Sequence, residues 1–173
     1  MQKIISLALS FILLLISQIL IFDRFTLGGI ATPFVFLVFL LLLPLSFNFA
    51  ISISIGFFAG LFIDLFSHNY LAGLHAFSCV LMMALRVGWI KMITTRNSFK
   101  GDEDDFISSQ SLYWYLIYFP VPVLIHHFAY FSLEAFSFSG FGITLLKILG
   151  SAIFTIALCL VFSIIFYIRP EKR

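Results

Sequence analysis

The sequence predicts an all-α integral membrane protein, six transmembrane helices in one compact bundle. Three observations lead there. Of 173 residues, 62% are hydrophobic and only 10% charged, with 24 phenylalanines; the mean hydropathy is +1.13. Soluble domains carry about 25% charged residues, so this chain could not cover a water-facing surface with polar groups, and its solvent must be lipid. The apolar residues also fall into stretches near the roughly 20 residues that a helix needs to cross a bilayer. Finally, the basic residues gather in alternate connections.

The first expected span covers residues 4–22. Lys3 followed by an apolar run resembles a secretory signal, but the run ends in "LIFDRF" without a small-residue cleavage pattern, so it reads as a retained helix. The second, residues 30–45, is the shortest and carries Pro44 near its end. The third covers 47–66 and the fourth 71–93, joined by a tight turn. The fifth, 112–133, opens on "LYWYLIYF", aromatics of the kind found at membrane interfaces. Within it, Pro120 and Pro122 remove two backbone donors and predict a kink, tolerated in lipid where neighbours satisfy the freed carbonyls. The sixth covers 143–168. Residues 1–173 therefore read as a single membrane domain with no soluble part.

Lysines and arginines in short loops stay on the cytoplasmic side. Lys3, Lys91, Arg96, Lys100, Arg169, Lys172 and Arg173 fall at the N-terminus, in the loop 94–111 and at the C-terminus, which six spans place on one side. Arg24 and Lys147 fall on the other. Both termini are expected in the cytoplasm. The loop 94–111 holds Arg96 and Lys100, then Asp102, Glu103, Asp104 and Asp105. It reads as a solvated loop, with a docking site for a cytoplasmic partner as the alternative.

Asp64 is the conspicuous ionisable group. Ser52, Gly56, Gly60 and Asp64 are spaced by fours and share one helix face, a small-residue stripe that lets another helix approach closely. At 1.5 Å per residue, Asp64 and His75 both sit roughly 5 Å below the outer surface, level on the two arms of a hairpin. Arg86 lies roughly 22 Å deep and is expected to snorkel toward the cytoplasm. Two readings of Asp64 stand: an ion or substrate site, because a carboxylate at a helix centre costs about 2.5 to 3.5 kcal/mol, or a clasp accepting hydrogen bonds from His75 or the turn. The clasp is favoured, since a relay would want further acids deeper in the bundle. Polar contacts between membrane helices average about 0.6 kcal/mol, so Asp64→Asn is expected to be mild.

His126 and His127 point about 100° apart on a helix and cannot chelate one metal well; helix-packing contacts are the better reading. His127 and Glu134 share a face at a spacing of seven. Cys79 and Cys159 lack the spacing of a metal or redox motif. No phosphate-binding glycine loop and no nucleophile elbow occur. No catalytic residue, metal, cofactor or nucleic-acid partner is expected.

"GFFAGLFIDLFSHNYLAGLHAF" resembles the most characteristic stretch of the bacterial rod shape-determining MreD family, with Gly56, Gly60, Asp64, Gly73 and Ala76 in matching places. His75 stands where that family more often has asparagine. The six spans and "ATPFVFLVFLLLLP" agree, and "HHFAYFSLEAFSF" resembles members from Bacteroidetes-like bacteria. The resemblance implies a non-enzymatic scaffold of the cell-elongation machinery in the bacterial inner membrane. Its implied partner is MreC, and through it MreB and the peptidoglycan synthases. It also implies a fold similar to the substrate-binding subunits of energy-coupling-factor vitamin transporters, which supply the alternative function. Those subunits dock through small residues repeated at four in the first helix, whereas here Ile4 and Ile12 flank Ala8 at that spacing.

Overall fold

The structure, a computed structural model, describes residues 2–66, 72–94, 106, 107, 109–136 and 140–166, without the side chains of residues 2–8 and 166. The charged run 96–105, the turn residues 67–71, the Lys3 side chain and the basic C-terminal residues lie outside it. Among these residues seven α-helices follow in order, with a 3-10 turn at Phe22–Arg24 after the first: α1 (Gln2–Leu20), α2 (Leu37–Leu41), α3 (Phe49–Phe66), α4 (Leu74–Ile93), α5 (Leu112–Tyr118), α6 (Pro120–Ala135) and α7 (Phe141–Phe166). Among the described residues there is no strand, only an isolated bridge between Leu27 and Ala31.

Four rods among the described residues are long and apolar enough to cross a membrane: α3, α4, α5 with α6, and α7. Leu13, Phe58, Leu65, Phe128 and Ile153 remain exposed along their outer faces and that of α1. So broad an apolar surface marks contact with lipid or another membrane segment. The expected fifth span is one rod with an interruption at Phe119, whose dihedrals stay helical at φ −65° and ψ −38°. Pro120 and Pro122 supply no N–H to the carbonyls of Leu116 and Tyr118. The Trp89 indole N–H donates to the Tyr118 carbonyl at 3.1 Å, so a neighbouring helix replaces one lost bond.

The second expected span is different. Over residues 30–45 the chain is α-helical only at Leu37–Leu41, and residues 34–43 are all buried. Residues 34–43 belong to the core around which the rods pack. Two prolines cause the departure from a continuous helix. Pro33 biases Thr32 toward extended backbone, and Pro44 lacks the N–H that would continue α2. Non-helical backbone at membrane depth survives only where protein satisfies its polar groups, and both flanking helices do so. Gln18 of α1 accepts the Val35 N–H at 2.7 Å and donates to the Pro33 carbonyl at 3.1 Å. From α7, the Ser151 hydroxyl accepts the Thr32 N–H at 3.0 Å, and the Thr155 hydroxyl accepts the Phe34 N–H at 3.0 Å.

Candidate functional site

The α3–α4 hairpin brings five motif residues together. Gly73 is the N-cap of α4 at φ 95°, a left-handed conformation that suits glycine but supplies no side chain to cap the helix. Asp64 supplies it from α3. Its Oδ1 accepts the His75 N–H at 3.0 Å and its Oδ2 accepts the Ala76 N–H at 2.9 Å. These are the second and third residues of α4, the donors that an N-cap side chain ordinarily takes. Charge assistance and the positive end of the helix dipole strengthen both bonds. The helices can approach this closely because Gly60 lacks a side chain: a Cβ there would stand 2.5 Å from the His75 carbonyl carbon and oxygen and 2.6 Å from the Ala76 Cα. A turn earlier, a Cβ on Gly56 would meet the Met83 side chain at 2.9 Å. The small-residue stripe seats α4 of the same chain.

Asp64 therefore contacts main chain, and the His75 imidazole is not its partner. Asp64→Asn keeps one acceptor but turns an NH2 group toward the second N–H. The expected loss is about 1–3 kcal/mol for an unsatisfied buried donor, more than spacing alone suggests. Thermal unfolding of the purified protein in detergent checks it; an unchanged midpoint would show that one acceptor suffices.

The His75 ring packs instead with Phe34 (centroids 4.8 Å apart), Tyr130 (4.3 Å) and His126 (5.7 Å). His127 is fully bonded: Nδ1 donates to the Val123 carbonyl at 2.8 Å and Nε2 accepts from the Thr155 hydroxyl at 3.1 Å. Those roles follow for the neutral ring, because a carbonyl only accepts and Nδ1 must carry the hydrogen. By contrast, His75 Nδ1 and both nitrogens of His126 are buried without a hydrogen-bond partner. His127 and Glu134, placed on one face by spacing, do not meet; Glu134 pairs with Lys147 of α7 at 3.3 Å. No group of three or more His, Cys, Asp or Glu among the described residues is arranged to hold a metal.

Beside the hairpin the bundle encloses an open cavity of about 350 Å³. Phe34, His75, Tyr130 and Phe131 form its buried floor, while Arg24, Glu134 and Lys147 stand at its mouth. The connection between α1 and α2, the start of α4, the end of α6 and the start of α7 thus line one cavity. Arg24 and Lys147, the two cations expected on the same side, share this cavity.

Arg86 was expected to snorkel and does not. It is 1% exposed. Its Nε donates to the Tyr118 hydroxyl at 2.8 Å, and its Nη2 donates to the carbonyls of Leu41, at 3.1 Å, and Leu43. Tyr118 in turn donates to the Leu41 carbonyl at 2.9 Å. The end of α2 leaves these carbonyls without helical partners, and one guanidinium answers two of them. Sequence reasoning missed this group together with Gln18, Ser151 and Thr155. A signal was present: Ser151, Thr155, Cys159 and Ser163 repeat by fours along α7, and all are buried.

No protein-family model, curated protein or solved structure matches the chain.

Proposed function

We propose that the chain is a non-enzymatic scaffold of the bacterial cell-elongation machinery, of the kind its resemblance to the MreD family implies. In this reading α1 and the buried second segment complete a six-pass bundle in the inner membrane, with both termini cytoplasmic. The fold is then similar to that of energy-coupling-factor substrate-binding subunits. MreC is the direct partner, and MreB and the peptidoglycan synthases are reached through it.

One observation carries the reading. Of the residues that bear the resemblance, Gly60, Asp64, Gly73 and Ala76 meet at a clasp whose carboxylate is held by two main-chain N–H groups, and Gly56 seats α4 a turn away against Met83. A carboxylate so engaged serves to hold two helices in register, as a scaffold requires. Among the described residues no other acid lies within the membrane-crossing rods beyond Glu134, at the end of α6.

Depletion in a rod-shaped host is expected to round the cells while lipid-linked peptidoglycan precursors continue to be made, and MreC is expected to co-purify from membranes. Normal shape with impaired uptake of a vitamin would support the transporter alternative, and accumulation of an unprocessed precursor would point to an enzyme.

A further inference from the structure

We infer that the bundle holds a bilayer of unequal thickness on its two sides, thinner along α3–α4 and thicker along α6–α7, where longer or more extended acyl chains gather. The inference rests on the rods crossing a membrane and not on the scaffold reading.

The rods differ in length. The apolar span is 18 residues in α3 and 20 in α4, against 24 in α5 with α6 and 25 in α7. At about 1.5 Å per residue these reach about 27 and 30 Å, against about 36 and 38 Å. A hydrocarbon core is about 30 Å thick, so the first pair fits it and the second overshoots by about 6–8 Å. The lengths also sort by side, since α3 packs on α4 and α6 packs on α7.

The exposed surfaces repeat the difference. On α3 the exposed apolar residues run from Phe49 to Phe66, about 26 Å. The exposed Asn48 precedes them, and the sequence turns polar after them at Ser67, His68 and Asn69. On α4 they run from Phe77 to Met92, beside the exposed Lys91, about 22 Å. On α7 they run from Ile143 to Ile165, about 33 Å. No polar side chain breaks that last stripe, because Thr144, Ser151, Thr155 and Ser163 are all buried. Lys147 turns inward. Its ammonium lies 3.3 Å from Glu134 and 6.0 Å from the centre of the buried Phe131 ring. The outer turns of α7 therefore present Ile143 and Leu146 to lipid, 64% and 58% exposed, rather than a charge.

A span longer than the hydrocarbon layer can kink, tilt or thicken the bilayer. α7 contains no proline to kink it. Tilting the bundle as a body shortens every rod alike and leaves the difference in place. α7 cannot lean alone, because Ser151 and Thr155 are bonded to Thr32 and Phe34, and Thr155 also to His127 of α6. An inclination of about 20° would in any case take only about 2 Å from about 38 Å. The lipid is left to adjust.

The test places one spin label at a time, through a new cysteine at Phe49, Phe66, Ile143 or Ile165, on the full chain in phosphatidylcholine vesicles. The lipids are dimyristoleoyl, dioleoyl and dierucoyl, in order of chain length. Wild-type protein, whose Cys79 and Cys159 are buried, is the unlabelled control. Leu146 takes the place of Ile143 if that label lowers the thermal midpoint. Collisions with oxygen, which concentrates in lipid, and with a nickel chelate, which stays in water, give the depth of each label. In the dioleoyl bilayer all four labels are expected in lipid, the α7 pair spanning about 7 Å more than the α3 pair. In the dimyristoleoyl bilayer nickel collisions should rise several-fold on α7 and hold steady on α3. Equal spans for the two pairs would overturn the inference, since the helices rather than the lipid would then adjust. So would free nickel access at Ile143 in every lipid, which would put the outer end of α7 in water. Collision with neither reagent at Ile143 would also overturn it, assigning that surface to a second copy of the chain.

Discussion

Replacing Gly60 with alanine is expected to destabilise the protein by about 3 kcal/mol, the upper part of the range for overpacking a close contact. The new methyl would stand 2.5 Å from the His75 carbonyl and 2.6 Å from the Ala76 Cα. These are backbone atoms at the first turn of α4, so no side chain can rotate away. Either the helices separate or the Asp64 bonds lengthen, and both dismantle the clasp. Alanine's better helix propensity returns only about 1 kcal/mol, so the clash wins. Gly88 on α4 is the control, since a Cβ there meets nothing within 4 Å. Gly88→Ala should be neutral or slightly stabilising. The measurement is membrane abundance and thermal midpoint in detergent for both variants. Indistinguishable midpoints for Gly60→Ala and Gly88→Ala would mean that the hairpin is looser than described.

The second large effect is expected at Arg86. Arg86→Ala leaves the Leu43 carbonyl without its donor, halves the bonding of Leu41, and opens a void in the core. A buried polar group left unsatisfied costs about 1–3 kcal/mol and the void adds to it, so a loss of about 3 kcal/mol or more is expected. Tyr118→Phe removes one hydroxyl from the same node and should cost about 1 kcal/mol. The double variant should cost less than the sum of the two, because the groups share partners. Both tryptophans report on this node: Trp89 donates to the Tyr118 carbonyl and Trp114 stacks on the Tyr118 ring with centroids 4.6 Å apart. Their emission should shift red in Arg86→Ala before global unfolding. An Arg86→Met protein with wild-type midpoint and emission would show that the carbonyls find other donors.

The sequence made the apolar rods and the α3–α4 hairpin legible because helical periodicity is local: Gly56, Gly60 and Asp64 announce a shared face by spacing alone. Hydropathy did not distinguish a lipid-facing helix from a buried irregular segment, since both are simply apolar. Residues 30–45 therefore read as one continuous helix, although Pro33 and Pro44 marked the places where helix could not form. Arg86 was misplaced for the same reason. Its partners are carbonyls that exist as free acceptors only because α2 stops at Leu41. The Asp64 contacts were half legible. Spacing put the carboxylate level with His75, but no side-chain identity signals that main-chain N–H groups are the donors. The cavity floor was least legible, because it joins Phe34, His75 and Tyr130 from three separated stretches.

The stapled core segment also fixes an order of events during synthesis. Thr32 and Phe34 find their acceptors on Ser151 and Thr155, 119 and 121 residues further along the chain. At ribosomal rates of about 5–20 residues per second, roughly 6 to 24 s separate the appearance of these partners. Throughout that interval the nascent segment has Gln18 on one flank and unpaired backbone on the other, a state that a bilayer interior penalises. Until then its Thr32 and Phe34 N–H groups need another acceptor, such as water. A chain truncated before residue 151 would lack both acceptors, and its membrane abundance is expected to fall.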